Sequence, residues 1–229
     1  MDNSHGGILK TFKYAVFSEI ATSFVHEMKN PISAITLGME FFDMSLAEGD
    51  PQKETLRSIY KSSEKLNALL DNLLVYYQNG NSEKSPVKIS QVARQAVSLV
   101  NYFTTRHQVK VEISEAPQEP WITSRASLVM QGLVYLMVWS AKRMPQGGKI
   151  MIEILPEGQS VVLNFHDQGP ALDPGQRARI MNPELPLGPN ADDLGPQLAR
   201  HLFLENGAEF KLNAGQPEAL LFSVKFNNQ

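Results

Sequence analysis

The chain has 229 residues, of which 42% are hydrophobic and 20% are charged, with a formal net charge of −3 at pH 7. These values are ordinary for globular domains and give no sign of the basic surface that nucleic-acid binding requires. The chain contains no cysteine, which excludes disulfides, thiol nucleophiles and zinc–thiolate sites. It has no apolar run near the ~20 residues of a membrane-spanning helix and no signal-peptide pattern. The sequence therefore predicts a cytoplasmic protein that binds neither nucleic acid nor membrane.

The first predicted element is a long amphipathic helix from about Ile8 to Ala47. Apolar or small residues recur three or four apart, at positions 17, 20, 24, 28, 31, 35, 38 and 42. This spacing is typical of a helix that packs on other helices. Pro31 is expected to kink the helix, because proline removes a backbone donor and crowds the preceding turn.

The second predicted helix, Pro51–Gln78, carries a regular heptad seam made of Leu56, Ile59, Ser63, Leu66, Leu70, Leu73 and Tyr77. Two helices joined by a short turn form an antiparallel hairpin. Because a hairpin cannot bury two apolar stripes by itself, we expect a second copy to complete a four-helix bundle. Packing of the hairpin against the chain's own second half is the alternative.

Helix 1 carries the motif His26-Glu27-Met28-Lys29-Asn30-Pro31. The motif resembles the phosphoacceptor sequence of two-component histidine kinases, which has a histidine, an acid, two variable positions, a polar residue and a proline. A single helical histidine is ordinarily a surface or core residue, but the whole pattern in register favours a phosphoacceptor. The resemblance implies three catalytic residues. His26 would carry phosphate on Nε2, Glu27 would orient or stabilise the ring, and Asn30 would orient a water or the incoming acyl phosphate.

The implied partner is the receiver domain of a response regulator, docked on the exposed face of helix 1 below His26. Lys29, Ser33 and Leu37 follow His26 at helical spacing and are the candidate receiver-binding residues, although each is also an ordinary exposed position. The Mg²⁺ for transfer would arrive with the receiver domain, bound by its carboxylates. We therefore expect no metal site and no cofactor on this chain. An upstream hybrid histidine kinase is a further candidate partner.

Residues 81–87 are predicted to be a linker between a domain of residues 1–80 and a domain of residues 88–229. Beyond the linker, predicted helices are Gln91–Thr105, Arg125–Met144 and Asp192–Asn206, and predicted strands are Val109–Ile113, Trp121–Thr123, Lys149–Leu155, Val161–His166, Glu209–Leu212 and Leu220–Phe226. Helices among mostly antiparallel strands predict an α/β sandwich with helices on one face. The order and spacing resemble the ATP-binding domain of histidine kinases over nearly all of residues 88–226.

By the same resemblance, several residues that bind the nucleotide and its Mg²⁺ in that family are missing from this chain. The family's two magnesium-holding asparagines fall on Tyr135 and Trp139, which cannot coordinate the ion and would fill the nucleotide's space. The loop Asp167-Gln168-Gly169-Pro170-Ala171 keeps the adenine-contacting aspartate but only one glycine, and Asp193-Leu194-Gly195-Pro196 also keeps only one. The segment Asn182–Asp192 is short for a nucleotide lid. We expect no ATP binding in the family's manner.

Asp167 is expected to cap a turn, with a residual nucleotide contact as the alternative. An intact phosphoacceptor helix followed by a nucleotide-incompetent kinase-like domain resembles the ChpT-like dimeric histidine phosphotransferases. The resemblance implies a dimeric four-helix bundle followed by a degenerate ATPase-like α/β sandwich. It also implies a phosphorelay intermediate that shuttles a phosphoryl group between receiver aspartates through His26 without ATP. The alternatives are an ATP-dependent histidine kinase with an atypical site, and a non-catalytic pseudokinase dimer that binds receivers.

Overall fold

The computed structural model describes residues 3–77, 83–182, 184, 194–213 and 220–227, with side chains from Phe24 onward except that of Leu220. The chain divides into two compact units, residues 1–79 and 80–229. The helices are α1 Asn3–Ser45, α2 Gln52–Tyr77, α3 Ile89–Arg106, α4 Ala126–Arg143, α5 Pro174–Met181 and α6 Leu194–Glu205. The strands are β1 Ser85–Val87, β2 Val109–Glu115, β3 Ile122–Ser124, β4 Gly148–Glu157, β5 Ser160–Asp167, β6 Glu209–Leu212 and β7 Leu220–Phe226.

The N-terminal unit is an antiparallel helical hairpin. Helix α1 has 43 residues and continues through Pro31, while α2 has 26. The difference of 17 residues makes α1 longer by about 26 Å, at a rise of 1.5 Å per residue. The connection is closed by Asp50, whose carboxylate accepts a 2.8 Å hydrogen bond from the Gln52 backbone N–H at the start of α2.

The hairpin core uses only part of the predicted apolar seams. It consists of buried Val25, Ile32 and Leu70, with half-buried Met28, Leu73 and Leu74 packed against them. Three seam residues of α1 remain outside this core: Phe24 is 56% exposed, Ile35 54% and Phe42 48%. Helix α1 therefore carries two apolar stripes, and α2 covers one of them.

The C-terminal unit is built on a five-stranded sheet of order β2-β4-β5-β7-β6, in which only β2 and β4 pair in parallel. A separate antiparallel pair joins β1 to β3. Residues of β5 alternate strictly between buried and half-buried, so one face of the sheet is buried and the other is partly open. The prediction of a helical hairpin followed by an α/β sheet domain is confirmed.

Two elements were not predicted from the sequence. Strand β1 lies inside the segment predicted to be the linker, because its pairing with β3 is a long-range interaction that composition does not reveal. Helix α5 begins with a capping box, in which the Asp173 side chain and the Gln176 side chain bond each other's backbone N–H groups, and Pro174 follows the cap. Residues 185–193, which include the start of the helix predicted from Asp192 and most of the predicted lid segment, lie outside the described residues.

Helix α4 forms the centre of the C-terminal unit and packs between α3 and α6. Twelve of its 18 residues are buried. It approaches α6 so closely that a Cβ atom added at Gly132 would lie 2.6 Å from the Phe203 ring. Phe203 is fully buried among Phe210 and Phe226, so it has little room to move aside.

We expect Gly132→Ala to lower the free energy of unfolding by about 1–3 kcal/mol, because the added methyl group overpacks the contact with Phe203. Urea denaturation of the full chain measures the change. The matched control is Gly38→Ala in α1, where a Cβ meets nothing within 4 Å and alanine favours the helix. Equal effects of the two substitutions would contradict the overpacking.

Candidate functional site

Helix geometry gives α1 three distinct faces. Because successive residues rotate by about 100°, Val25 and Ile32 project towards α2, and the exposed apolar stripe of Phe24, Ile35 and Phe42 lies roughly 90° away. A third face, roughly 120–150° from both, carries four of the predicted site residues: His26, Asn30, Ser33 and Leu37. All four are exposed. Within the N-terminal unit, the imidazole of His26 is therefore open to contact by another protein.

Glu27 is exposed but does not share the face of His26. Residues i and i+1 project about 100° apart around a helix and do not face each other. The structure thus brings Asn30 into line with His26, one turn further along, and leaves the carboxylate of Glu27 beside that face. A role for Glu27 in orienting the ring stays a prediction.

Lys29 lies between the His26 face and α2. Its ammonium group forms an ion pair with the carboxylate of Asp71 on α2, and its side chain is 31% exposed. The pair joins the two helices one turn after His26. Lys29, predicted as a receiver-binding residue, therefore already has a partner within the hairpin. Asp71 was not identified from the sequence, since a contact across the hairpin leaves no local pattern.

The second cluster surrounds Asp167 at the end of β5, where the side chain is 3% exposed. One carboxylate oxygen accepts a 3.0 Å hydrogen bond from the backbone N–H of Gly169, which is the turn cap predicted from the sequence. The other accepts a hydrogen bond from the Ser140 hydroxyl and lies 3.3 Å from a guanidinium nitrogen of Arg143. Both carboxylate oxygens of Asp167 are therefore bonded to the chain's own groups.

Arg143, in the last turn of α4, is the charged partner of that carboxylate. Its side chain is 12% exposed, its guanidinium carbon lies 4.2 Å from the centre of the Trp139 ring, and it donates a hydrogen bond to the Pro170 carbonyl. Burial lowers the pKa of the Arg143 guanidinium, and the charge of Asp167 opposes that shift. Neither Arg143 nor Ser140 was identified from the sequence. Arg143 ends a helix predicted to be buried, and a charged side chain at such a position that is itself buried needs a partner.

Tyr135 and Trp139, which stand where the resembled family has its magnesium-holding asparagines, lie on the part of α4 next to α6. Trp139 is 7% exposed and its ring centre lies 5.8 Å from that of Phe222. A Cβ atom at Gly195 would lie 3.0 Å from the Trp139 Cβ and 3.2 Å from the Tyr135 carbonyl oxygen. The start of α6 therefore lies directly on this part of α4.

A small pocket beside Asp167 opens on the other side, towards the open face of the sheet. Its volume is about 190 Å³, and it is lined by Lys149, Met151, Glu153, His166, Asp167 and Gln168. Sites for ligands of drug size usually measure about 300–1,000 Å³. Among the described residues, no group of three or more acidic or histidine side chains is arranged to hold a metal ion. No helix in the described part of the chain has the length and apolarity to cross a membrane.

Comparison with known proteins agrees with both units. Residues 18–82 match the family model of the His Kinase A (phospho-acceptor) domain. The sensor histidine kinase ZraS of Salmonella typhimurium is 18% identical over 93% of this chain and 46% of its own length. Sporulation kinase B of Bacillus subtilis is 22% identical over 95% of this chain and 51% of its own. The chain thus spans about half the length of these relatives.

The chain is homologous to sensor histidine kinases. Its fold agrees with this relationship: the catalytic domain of the histidine kinase ThkA superposes with a TM-score of 0.56, at 14% identity, covering 64% of this chain and 98% of that one. This histidine-kinase-like protein therefore joins a phospho-acceptor hairpin to a catalytic-domain-like fold. The match over residues 18–82 includes the motif around His26.

We expect Asp167→Asn to lower the free energy of unfolding by about 3 kcal/mol, because it leaves the buried guanidinium of Arg143 without a counter-charge. Urea denaturation of the full chain measures this loss. The matched control is Glu157→Gln, which breaks a 3.3 Å pair with Lys225 at a carboxylate that is 60% exposed. That change should cost less than about 1 kcal/mol. A loss at Asp167 no larger than at Glu157 would contradict the account of the cluster.

Proposed function

We propose that this protein is a cytoplasmic histidine phosphotransferase of a two-component phosphorelay. It accepts a phosphoryl group from the aspartate of one receiver domain on His26 and passes it to the aspartate of another, without using ATP. The observation that carries the proposal is an asymmetry between the two units. The imidazole of His26 is exposed on a hairpin that matches the phospho-acceptor family model. The carboxylate of Asp167, which corresponds to the adenine-contacting aspartate of the resembled family, is instead bonded to Ser140, Arg143 and Gly169.

The chemistry at His26 is an in-line exchange between a receiver and the imidazole. The neutral Nε2 attacks phosphorus of the aspartyl phosphate, the phosphorus–oxygen bond breaks, and the receiver's carboxylate leaves with the bonding electrons. The product is a phosphoramidate on His26, and the reverse reaction with a second receiver regenerates the free imidazole. The receiver supplies Mg²⁺, and Asn30, on the His26 face, orients the transferring group.

The face shared by His26, Asn30, Ser33 and Leu37 is the proposed receiver-docking surface. Its members lie within about 60° around the helix, so a single partner surface can cover them. Leu37 is 54% exposed and offers an apolar contact below the polar residues. Lys29 is assigned a supporting role, because its ion pair with Asp71 fixes the turn that follows His26 against α2.

We propose a homodimer as the functional unit. Beyond the apolar stripe of α1, the hairpin exposes Ile59 and Leu66 of α2 at 44% and 40%. Near the closed end of the hairpin, α1 and α2 border a groove of about 540 Å³, lined by Met39, Glu40, Asp43, Leu56, Arg57, Tyr60, Lys61 and Glu64. A second hairpin packed on these surfaces would bury the stripes in a four-helix bundle and leave the His26 faces outside.

The decisive measurement is transfer from a purified receiver domain carrying ³²P on its aspartate. We expect the wild-type chain to become labelled within the assay, with an acid-labile and base-stable phosphate, and we expect His26→Ala to abolish labelling. The matched control is His201→Ala, since His201 is another helical histidine with a side chain 75% exposed. Labelling that survives His26→Ala would overturn the proposal. Tight receiver binding without transfer in either direction would instead favour a non-catalytic pseudokinase.

The homology to sensor kinases makes an ATP-dependent kinase the second candidate. Incubation of the wild-type chain with γ-³²P-labelled ATP and Mg²⁺ distinguishes the two. We expect no label on His26, because Asp167 is paired internally and the positions of Tyr135 and Trp139 lack magnesium ligands. Autophosphorylation that disappears in His26→Ala would replace the phosphotransferase by the kinase.

A further inference from the structure

The cleft between Trp139 and Asp167 has the chemistry of a binding site for a flat cation. The indole ring supplies an aromatic face 4.2 Å from the guanidinium carbon of Arg143. The Asp167 carboxylate lies 3.3 Å from one nitrogen, and the Pro170 carbonyl accepts a hydrogen bond from another. An aromatic face with acceptors at the edge of the ligand is the arrangement that suits a planar group bearing several N–H donors.

The walls of the cleft are fixed independently of Arg143. The Ser140 hydroxyl and the Gly169 backbone N–H hold the two oxygens of the carboxylate, and the Phe222 ring packs against the Trp139 ring with 5.8 Å between ring centres. At Gly169, an added Cβ would lie 3.3 Å from the Arg143 guanidinium carbon and 3.1 Å from an Asp167 carboxylate oxygen. The Gly169 backbone thus lies against both the guanidinium and the carboxylate, and a side chain at this position would crowd them.

We infer that the Trp139–Asp167 cleft is a binding site for a planar nitrogen cation that the chain fills with its own Arg143 side chain. Filled in this way, the cleft is closed to external ligands, including the amino-bearing ring of a purine. This site belongs to the C-terminal unit alone and does not depend on phosphotransfer at His26. An ordinary ion pair would require only that the ligand be positively charged, whereas a site of this kind also requires that the charged group be planar.

The test removes the internal ligand and offers a free one. In the full chain, we expect Arg143→Ala to lower the Tm by roughly 10 °C, because Asp167 loses its counter-charge. Millimolar N-methylguanidinium should raise that Tm with a saturable concentration dependence. Methylammonium at the same concentrations should not, because it has the charge without the plane. The matched control is Lys142→Ala, an exposed neighbour in the same helical turn, whose Tm should be unchanged and insensitive to both compounds.

Tryptophan fluorescence gives an independent readout of the same cleft. The chain has two tryptophans, so in a Trp121→Phe background the emission comes from Trp139 alone. Trp121 is 55% exposed, so its replacement should disturb little. Removing Arg143 should shift the Trp139 emission to longer wavelength as water reaches the ring, and N-methylguanidinium should reverse the shift. Adding Asp167→Asn to Arg143→Ala should abolish that reversal.

Several outcomes would overturn the inference. These are an unchanged Tm in Arg143→Ala, a folded Arg143→Ala that does not respond to N-methylguanidinium, or equal stabilisation by methylammonium or by adenosine. If Arg143→Ala does not fold, Arg143→Lys decides, because lysine keeps the charge and loses the plane. We expect it to fold with a lower Tm and a longer-wavelength Trp139 emission. Wild-type values for both would refute the planar-cation site. None of these readouts moves if His26 proves not to carry phosphate.

Discussion

The C-terminal unit is organised by the need to bury α4 on nearly every side. Twelve of its 18 residues are buried, and α3, α6 and the sheet supply the surfaces around it. A charged side chain on the buried side of such a helix needs a partner inside the fold, whereas Lys142 in the same turn is exposed. Arg143 finds its partner in Asp167 at the end of β5, whose carboxylate lies 3.3 Å from a guanidinium nitrogen. The closed state of the cleft is thus a consequence of how α4 is packed.

The N-terminal unit depends on a different constraint, the rotation of about 100° per residue in α1. Because of this rotation, residues only a few positions apart lie on different faces of the helix. Val25 packs on α2, Phe24 belongs to the uncovered apolar stripe, and His26 remains in contact with solvent. Three consecutive residues therefore serve folding, proposed association and proposed chemistry. A single-residue insertion between Val25 and Ile32 would turn Ile32 by about 100° relative to Val25, and so away from α2.

Local patterns predicted most of the fold, and long-range contacts account for what they missed. The long helices and the alternating strands are legible because their periods repeat over many residues, whereas β1 exists only through its pairing with β3. Helix α5 was legible in principle, since Asp173, Pro174 and Gln176 form a capping signature. The candidate site residues likewise include some that a local motif reveals and others that only long-range contacts bring together. The motif around His26 is contiguous, but Arg143 meets Asp167, and Lys29 meets Asp71, only after folding.

The cleft that Arg143 fills also bears on what the protein can sense. A tethered side chain is present at a constant effective concentration, which metabolism cannot raise or lower. A cleft filled in this proposed manner would not alternate between an empty and a loaded form as the supply of a free ligand fluctuates. Under the proposed function, the traffic of phosphoryl groups through such a protein would be governed by the state of its receiver partners.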